Sequence, residues 1–226
     1  MRNRTSRIVA LTTGLIALVF ATQTFAVDFN AQERGKLAEG KTVRQRLASS
    51  GDQGFYGGTG WTMIDAPADV VWAAIDDFGS YRKAFPKTVS VKELSRKGDK
   101  SLIRMKLGHK LISVEYHMTV ERNRAKNMIS FKLVRNRPHD IEETRGYWRL
   151  FPQKDGRTLV AYVVATQVPM GLVNLLGSEM ATKFERHLLG LPGYLKKWVE
   201  GPNGSRYRTM LAKNMISFKL VRNRPH

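Results

Sequence analysis

Histidine, cysteine and acidic side chains carry much of enzyme chemistry, and their positions set the first limits on this chain. The 226 residues include no cysteine, which excludes disulfides, thiol catalysis and lipid attachment through an N-terminal cysteine. Zinc sites need clustered ligands, and none of the histidines shows the spacing of a His-Glu-x-x-His motif. The sequence therefore identifies no catalytic residue, no metal ligand and no cofactor. The five histidines are His109, His117, His139, His187 and His226.

One acid–histidine pair, Glu115 and His117, shares a face of a predicted strand. Because this is the polar face of an alternating pattern, we expect both side chains to face solvent. Metal ligation or acid–base catalysis by the pair is the alternative.

Two adjacent acids, Asp76 and Asp77, end a predicted helix, where a negative charge meets the negative end of the helix dipole. We expect them on the surface. One of them would pair with Arg82 or Lys83.

The segment 63–86 predicts a strand followed by two short helices. Met63 and Ile64 end the strand, and Pro67 suits a first helical position because its missing N–H costs nothing there. Asp69 is favourable in the first turn. Apolar residues then recur at helical spacing until Gly79 and Pro86 interrupt the pattern.

After Pro86 the apolar residues alternate with polar ones in six runs, within 89–94, 103–107, 112–120, 129–133, 141–151 and 158–168. This is typical of antiparallel strands that cover one core. The turn at Asp155-Gly156 leaves the facing of the last strand open. A two-residue turn would place Ala161 and Val163 opposite the side of Trp148, and a three-residue turn would place Val160 and Tyr162 there.

Residues 170–199 have the apolar periodicity of a helix, which would span about 45 Å if unbroken. Gly190, Pro192 and Gly193 should break or kink it.

The element order over residues 59–200, with the segment 146–162, resembles the START-like or SRPBCC superfamily of polyketide cyclase and coenzyme Q-binding domains. The resemblance implies an α+β helix-grip fold. In that fold a curved antiparallel sheet of about seven strands wraps round a long C-terminal helix, with an apolar cavity between them. We expect the ligand-binding side chains to be Met105, Val114, Tyr116, Phe131, Trp148, Leu176 and Met180.

The first 26 residues have the pattern of a secretory signal peptide, with a basic start, an apolar stretch over 8–21 and small residues near Ala26. We expect cleavage near Ala26 and a periplasmic or extracellular protein. An uncleaved anchor is the alternative, although about 20 apolar residues are needed to span a bilayer. Residues 27–58 are predicted to be a polar arm and a glycine-rich linker, and within the arm residues 28–50 are interpreted as a weak amphipathic helix or as a mobile segment.

Residues 125–139 recur letter for letter at 212–226. The second copy lies in a segment, 201–226, that follows the predicted domain and carries basic residues but no acid. It predicts a disordered basic tail. The alternative is that the second copy pairs as a strand with this sheet or with the sheet of another molecule.

These features favour an exported, monomeric protein that binds a hydrophobic small molecule such as a lipid, a quinone or a polyketide-like compound. A formal net charge of +19 permits contact with an anionic membrane surface, whereas export makes nucleic acid an unlikely partner. Two alternatives remain open. One is a cyclase- or aromatase-like enzyme that uses the same cavity, and the other is a surface-binding module with a filled core.

Overall fold

The computed structural model describes residues 28–48, 51, 54–109 and 112–222. The side chains at 109, 112, 175, 176, 178 and 214–222 lie outside that description. The predicted signal peptide falls outside the described residues as well. Within the described part of the chain, no helix is long and apolar enough to cross a membrane.

A single curved antiparallel sheet forms the body of the protein, as the alternating runs predict. It has eight strands rather than about seven, in the order β1-β2-β8-β7-β6-β5-β4-β3. The strands are β1 Val43–Arg46, β2 Phe55–Ile64, β3 Thr88–Lys97, β4 Lys100–His109, β5 Ile112–Asn123, β6 Met128–Leu133, β7 Glu143–Pro152 and β8 Thr158–Gln167.

Six α-helices accompany the sheet in these described ranges, and the predicted pair after the first core strand is present. A 3-10 turn, Phe78–Ser80, separates that pair, α2 and α3. The helices are α1 Ala31–Ala38, α2 Ala68–Asp76, α3 Tyr81–Ala84, α4 Met170–Leu188, α5 Leu191–Glu200 and α6 Gly204–Arg222.

The predicted long C-terminal helix is divided into α4 and α5 at Leu189 and Gly190, as the glycines and proline indicate. A second interruption inside α4 was not predicted. Gly177 has φ 72° and ψ 166°, a conformation open essentially to glycine alone. The α4 segment therefore consists of two helical pieces.

The N-terminal arm contains helix α1, in agreement with the amphipathic helix considered for residues 28–50, and strand β1, which was not predicted. Asn30 and Glu33 cap α1 reciprocally, and β1 pairs with β2. The predicted linker lies largely inside β2, a strand hydrogen-bonded on both sides. A small second core forms on the outer face of the sheet from Leu37, Val43, Trp61 and Ala161.

Gly60 in β2 allows the junction between α4 and α5 to approach the sheet closely. A Cβ atom at this position would collide with the carbonyl oxygen of Leu189 and crowd the ring of Pro192. Only glycine leaves room for this packing.

The β7–β8 hairpin resolves the open question about the last strand. Gln153 and Arg157 close a three-residue turn through a 2.8 Å backbone hydrogen bond, with Gly156 at φ 85°. Trp148 consequently pairs with Tyr162. The three-residue alternative is confirmed, and the inner face carries Val160 and Tyr162.

The C-terminal segment forms helix α6 over Gly204–Arg222, so the predictions of a disordered tail and of an added strand are both wrong for these residues. Tyr207 anchors the helix and is 3% exposed. The indole Nε1 of Trp198 donates to its hydroxyl at 2.9 Å, and that hydroxyl donates to Asp77 at 3.0 Å.

The acids at the end of α2 pair with partners far along the chain, which corrects their assignment to Arg82 or Lys83. Asp76 accepts from the Nε of Arg122 at 2.6 Å and from Arg96 at 3.0 Å. The Arg122 side chain is 3% exposed. These ion pairs join α2 to the sheet, so Asp76 has a structural role.

Candidate functional site

An apolar cavity of about 260 Å³ lies between the inner face of the sheet and α4. Strand alternation places every second side chain of β4 to β8 on this inner face. Helix α4 contributes the opposite wall through Val173, Ala181 and Phe184. The cavity predicted from the resemblance is therefore present in the structure.

The structure brings most of the predicted ligand-binding residues together. Met105 and Tyr116 are direct partners across β4 and β5. Met180 lies at an opening of the cavity, because its side chain remains 44% exposed. The side chain of Leu176 lies outside the described residues. The six that line the cavity are Met105, Val114, Tyr116, Phe131, Trp148 and Met180.

Aromatic rings in contact with one another form one side of the cavity, called the aromatic floor below. The rings of Tyr81 and Phe85 lie 4.7 Å apart between centroids, and Trp148 and Tyr162 lie 4.3 Å apart. Phe131 stacks on Tyr162 at 5.9 Å. Such contacts are favourable beyond the area they bury and fix the ring orientations. The floor is therefore a rigid apolar surface.

Tyrosine hydroxyls provide polar groups along this floor. The hydroxyl of Tyr81 donates to the carbonyl of Ile75 at 2.6 Å. The hydroxyls of Tyr116 and Tyr162 make no hydrogen bond to a residue that the structure describes. Burial raises the pKa of both well above the usual value for tyrosine, so both remain protonated. They are available as donors to a polar atom of a ligand.

His187 and Lys87 lie at another part of the wall, where the chain meets solvent. Burial, with the charge of Lys87, lowers the pKa of His187 to about 4, although an interaction with the Pro86 backbone opposes this. The imidazole is therefore neutral at pH 7. Lys87 is exposed and has φ 68°, which is unusual for a residue with a side chain.

The wall formed by α4 is attached to the N-terminal arm. Arg46 of β1 forms an ion pair with Glu185 at 2.5 Å, and the Glu185 side chain is 3% exposed. The ring of Phe184 meets that of Tyr56 edge-on at 5.8 Å. The arm therefore helps to hold this part of the cavity wall.

Glu115 and His117 lie in different environments in the structure. The Glu115 side chain is partly exposed and pairs weakly with Arg104 at 3.9 Å. His117 is buried, with its Nδ1 3.0 Å from the carbonyl oxygen of Pro138, so the expectation that it faces solvent is wrong. Neither residue lines the cavity. Over the described ranges, no group of three or more histidine or acidic side chains could hold a metal.

An open groove of about 540 Å³ occupies the outer face of the sheet. Its walls mix apolar Tyr147 and Val163 with charged Glu121, Lys132 and Arg145. The inner cavity fits a small hydrophobic ligand better, because such sites are enclosed and mostly apolar.

Sequence reasoning missed many of the residues that line the cavity, among them Tyr81, Lys87, Tyr162 and His187. The facing of Tyr162 depended on the undetermined turn. His187 could have been found, because it lies three residues after Phe184 and four before Leu191, on the same helical stripe.

Comparison with known proteins agrees with this geometry. Residues 64–189 match the family described as polyketide cyclase / dehydrase and lipid transport. The chain belongs to this family. No curated protein matches the chain.

Solved structures show the same fold. The chain is similar to a START superfamily protein from Mycobacterium smegmatis, with a TM-score of 0.52, 19% identity and coverage of 64% of this chain and 97% of that one. It is also similar to a STAR-related lipid transfer protein fragment from Xanthomonas axonopodis, with a TM-score of 0.53, 16% identity and coverage of 71% and 93%. The di-domain ARO/CYC BexL gives a TM-score of 0.51 at 18% identity, with coverage of 67% of this chain and 52% of that one. The START-like resemblance and the helix-grip fold are thereby confirmed.

Proposed function

We propose that the protein binds a hydrophobic small molecule, such as a lipid, a quinone or a polyketide-like compound, in the inner cavity and carries or sequesters it. The observation that supports this is the cavity itself, an apolar space of about 260 Å³ with a few polar groups in its wall. Burial of apolar ligand surface contributes about 25 cal/mol per Å². The family and its structural neighbours fit hydrophobic ligand binding but specify no ligand.

A cavity-filling substitution tests this proposal. Ala181 lies in the cavity wall, whereas Lys183, on the same helix, is exposed. We expect Ala181→Trp to abolish uptake of a displaceable hydrophobic dye, and Lys183→Trp to leave it unchanged. Native mass spectrometry of the purified protein should show an added mass that organic extraction removes. Absence of that mass, together with equal dye uptake by both variants, would refute the proposal.

A cyclase-like activity is the second candidate, favoured by the neutral imidazole of His187 in the cavity wall. A neutral imidazole can remove a proton next to a carbonyl, and the hydroxyls of Tyr116 and Tyr162 could stabilise the developing enolate. Incubation with a poly-β-ketone substrate would test this. Cyclisation that is lost in His187→Gln, with binding retained, would support it, and an absence of turnover by the wild-type protein would exclude it for that substrate.

We further propose that the protein acts after export and meets an anionic membrane surface. The pattern of residues 1–26 and the net charge support this. N-terminal sequencing of the protein from a bacterial host tests the export step, with Val27 expected as the first residue. An intact N-terminus in the cytoplasmic fraction would contradict it. Sedimentation with vesicles that contain phosphatidylglycerol tests the membrane contact.

A further inference from the structure

The size of the cavity limits its occupant. Typical drug-sized sites enclose about 300–1,000 Å³, and this cavity encloses about 260 Å³. We therefore expect a small occupant, such as a single acyl chain or a small ring system.

The charges of the wall limit the occupant further. The ionisable side chains that line the cavity are tyrosines, His187 and Lys87, and no described carboxylate is among them. His187 is neutral at pH 7. Lys87 is thus the cationic group of the described wall, and its charge favours an anionic ligand over a cationic one beside it.

The position of Lys87 is fixed by its backbone. Its carbonyl accepts a 2.9 Å hydrogen bond from the N–H of Gly108, and the N–H of Thr88 donates to Phe85 at 3.3 Å. Lys87 makes no ion pair with any side chain that the structure describes. Its ammonium is therefore free to pair with a ligand, and its exposure places the pair at the rim of the cavity.

Building on the proposed function, we propose that the ligand is a small carboxylic acid, with its carboxylate paired to Lys87 and its hydrophobic body in the cavity. Pairing at the rim leaves the carboxylate partly hydrated, so a deeply buried charge is avoided. The body would lie on the aromatic floor.

The conformation of Lys87 determines the variants that test this. Asparagine and aspartate tolerate a positive φ better than other side chains, so Lys87→Asn removes the charge, and Lys87→Asp reverses it, with little added strain. Lys83 is exposed on the neighbouring helix α3 and is not part of the wall. Lys83→Asn is the matched control.

Calorimetry with decanoate and decanol, and with 2-naphthoate and 2-naphthol, measures the preference for an acid in an acyl and in an aromatic series. We expect the wild-type protein and Lys83→Asn to bind at least one acid about five-fold more tightly than its alcohol, a size typical of a solvent-accessible ion pair. Lys87→Asn should lose the preference, and Lys87→Asp should prefer the alcohol. Decylammonium should bind Lys87→Asp more tightly than the wild-type protein.

The outcomes separate this inference from the proposed function. Equal binding of acids and alcohols by the wild-type protein, or an unchanged preference in Lys87→Asn, would overturn the assignment of Lys87 and leave cavity binding intact. If no probe binds the wild-type protein and Ala181→Trp behaves identically, the proposed function fails as well.

Discussion

The fifteen residues at 125–139 and their identical copy at 212–226 adopt different structures in one molecule. In the first copy, Met128–Leu133 is strand β6, hydrogen-bonded to β5 and β7. In the second copy, the backbone continues helix α6 as far as Arg222. The local sequence is the same in both copies, so the flanking residues and the tertiary contacts decide between strand and helix.

The flanking residues supply the difference. Asn127 has φ 47° in the turn that leads into β6, whereas the corresponding Asn214 lies within α6. Residues 204–211 already form a helix that is held by Tyr207. Extending an existing helix is much easier than starting one, so the second copy continues the helix.

The largest expected effect comes from replacing the buried Ile129 in the first copy, with Ile216 in the second copy as the matched control. Ile129 in β6 is 3% exposed, so Ile129→Ala should lower the free energy of unfolding by about 2–5 kcal/mol. Ile216→Ala should change it by no more than about 0.5 kcal/mol, because alanine has the higher helix propensity. Urea unfolding curves measure both values. Equal losses would mean that the two copies are equally built into the core.

Removing Tyr207, the anchor of α6, tests whether the helical structure of the second copy depends on that contact. Tyr207→Ala deletes a buried ring, at a cost of about 3 kcal/mol, and should reduce the far-UV helical signal without affecting β6. Tyr207→Phe keeps the ring and loses the hydrogen bonds to Trp198 and Asp77, at a cost of about 1 kcal/mol. A helical signal that survives in Tyr207→Ala would show that the segment 208–222 forms a helix without its anchor.

The two copies should also differ in ligand binding. Phe131 lines the cavity and stacks on Tyr162, so Phe131→Ala should weaken dye binding about ten-fold, equivalent to about 1.4 kcal/mol. Phe218→Ala is the matched control, with unchanged binding expected. Fluorescence titration measures both affinities. An equal loss in the control would place the second copy at the binding site.

The smallest effect is expected from deleting residues 212–226. The anchor at Tyr207 remains, so the free energy of unfolding should change by about 0.5 kcal/mol or less. The helical signal should fall because part of α6 is removed. Circular dichroism and thermal melting measure the two quantities. A large loss of stability would show that the second copy packs on the domain.

Strand alternation was enough to predict six core strands and, with the resemblance, six of the residues that line the cavity. Strand β1 of the N-terminal arm escaped prediction because it is only four residues long and buries only Val43. The Asp76–Arg122 ion pair spans 46 positions, and no local pattern indicates such a pair. The helical second copy was missed because its alternation equals that of β6, and alternation alone cannot report what precedes it.

Two properties of the candidate site could not be predicted for a similar reason. The neutral state of His187 and the rim position of Lys87 depend on burial and on the path of a loop between α3 and β3. The residue types alone carry neither property. The mostly apolar composition of the wall could be anticipated, but the presence of Lys87 in the described part of the wall could not.

Because Gly60 has no side chain, it also determines how closely the α4–α5 junction approaches the sheet, and so the depth of the inner cavity at that end. The strand and the α4–α5 junction touch at this residue, and α4 extends from that contact along the cavity. A methyl group at Gly60 would push the junction away from the sheet, and the adjoining end of α4 would move with it. We therefore expect Gly60→Ala to change the volume of the inner cavity from a position that does not line it.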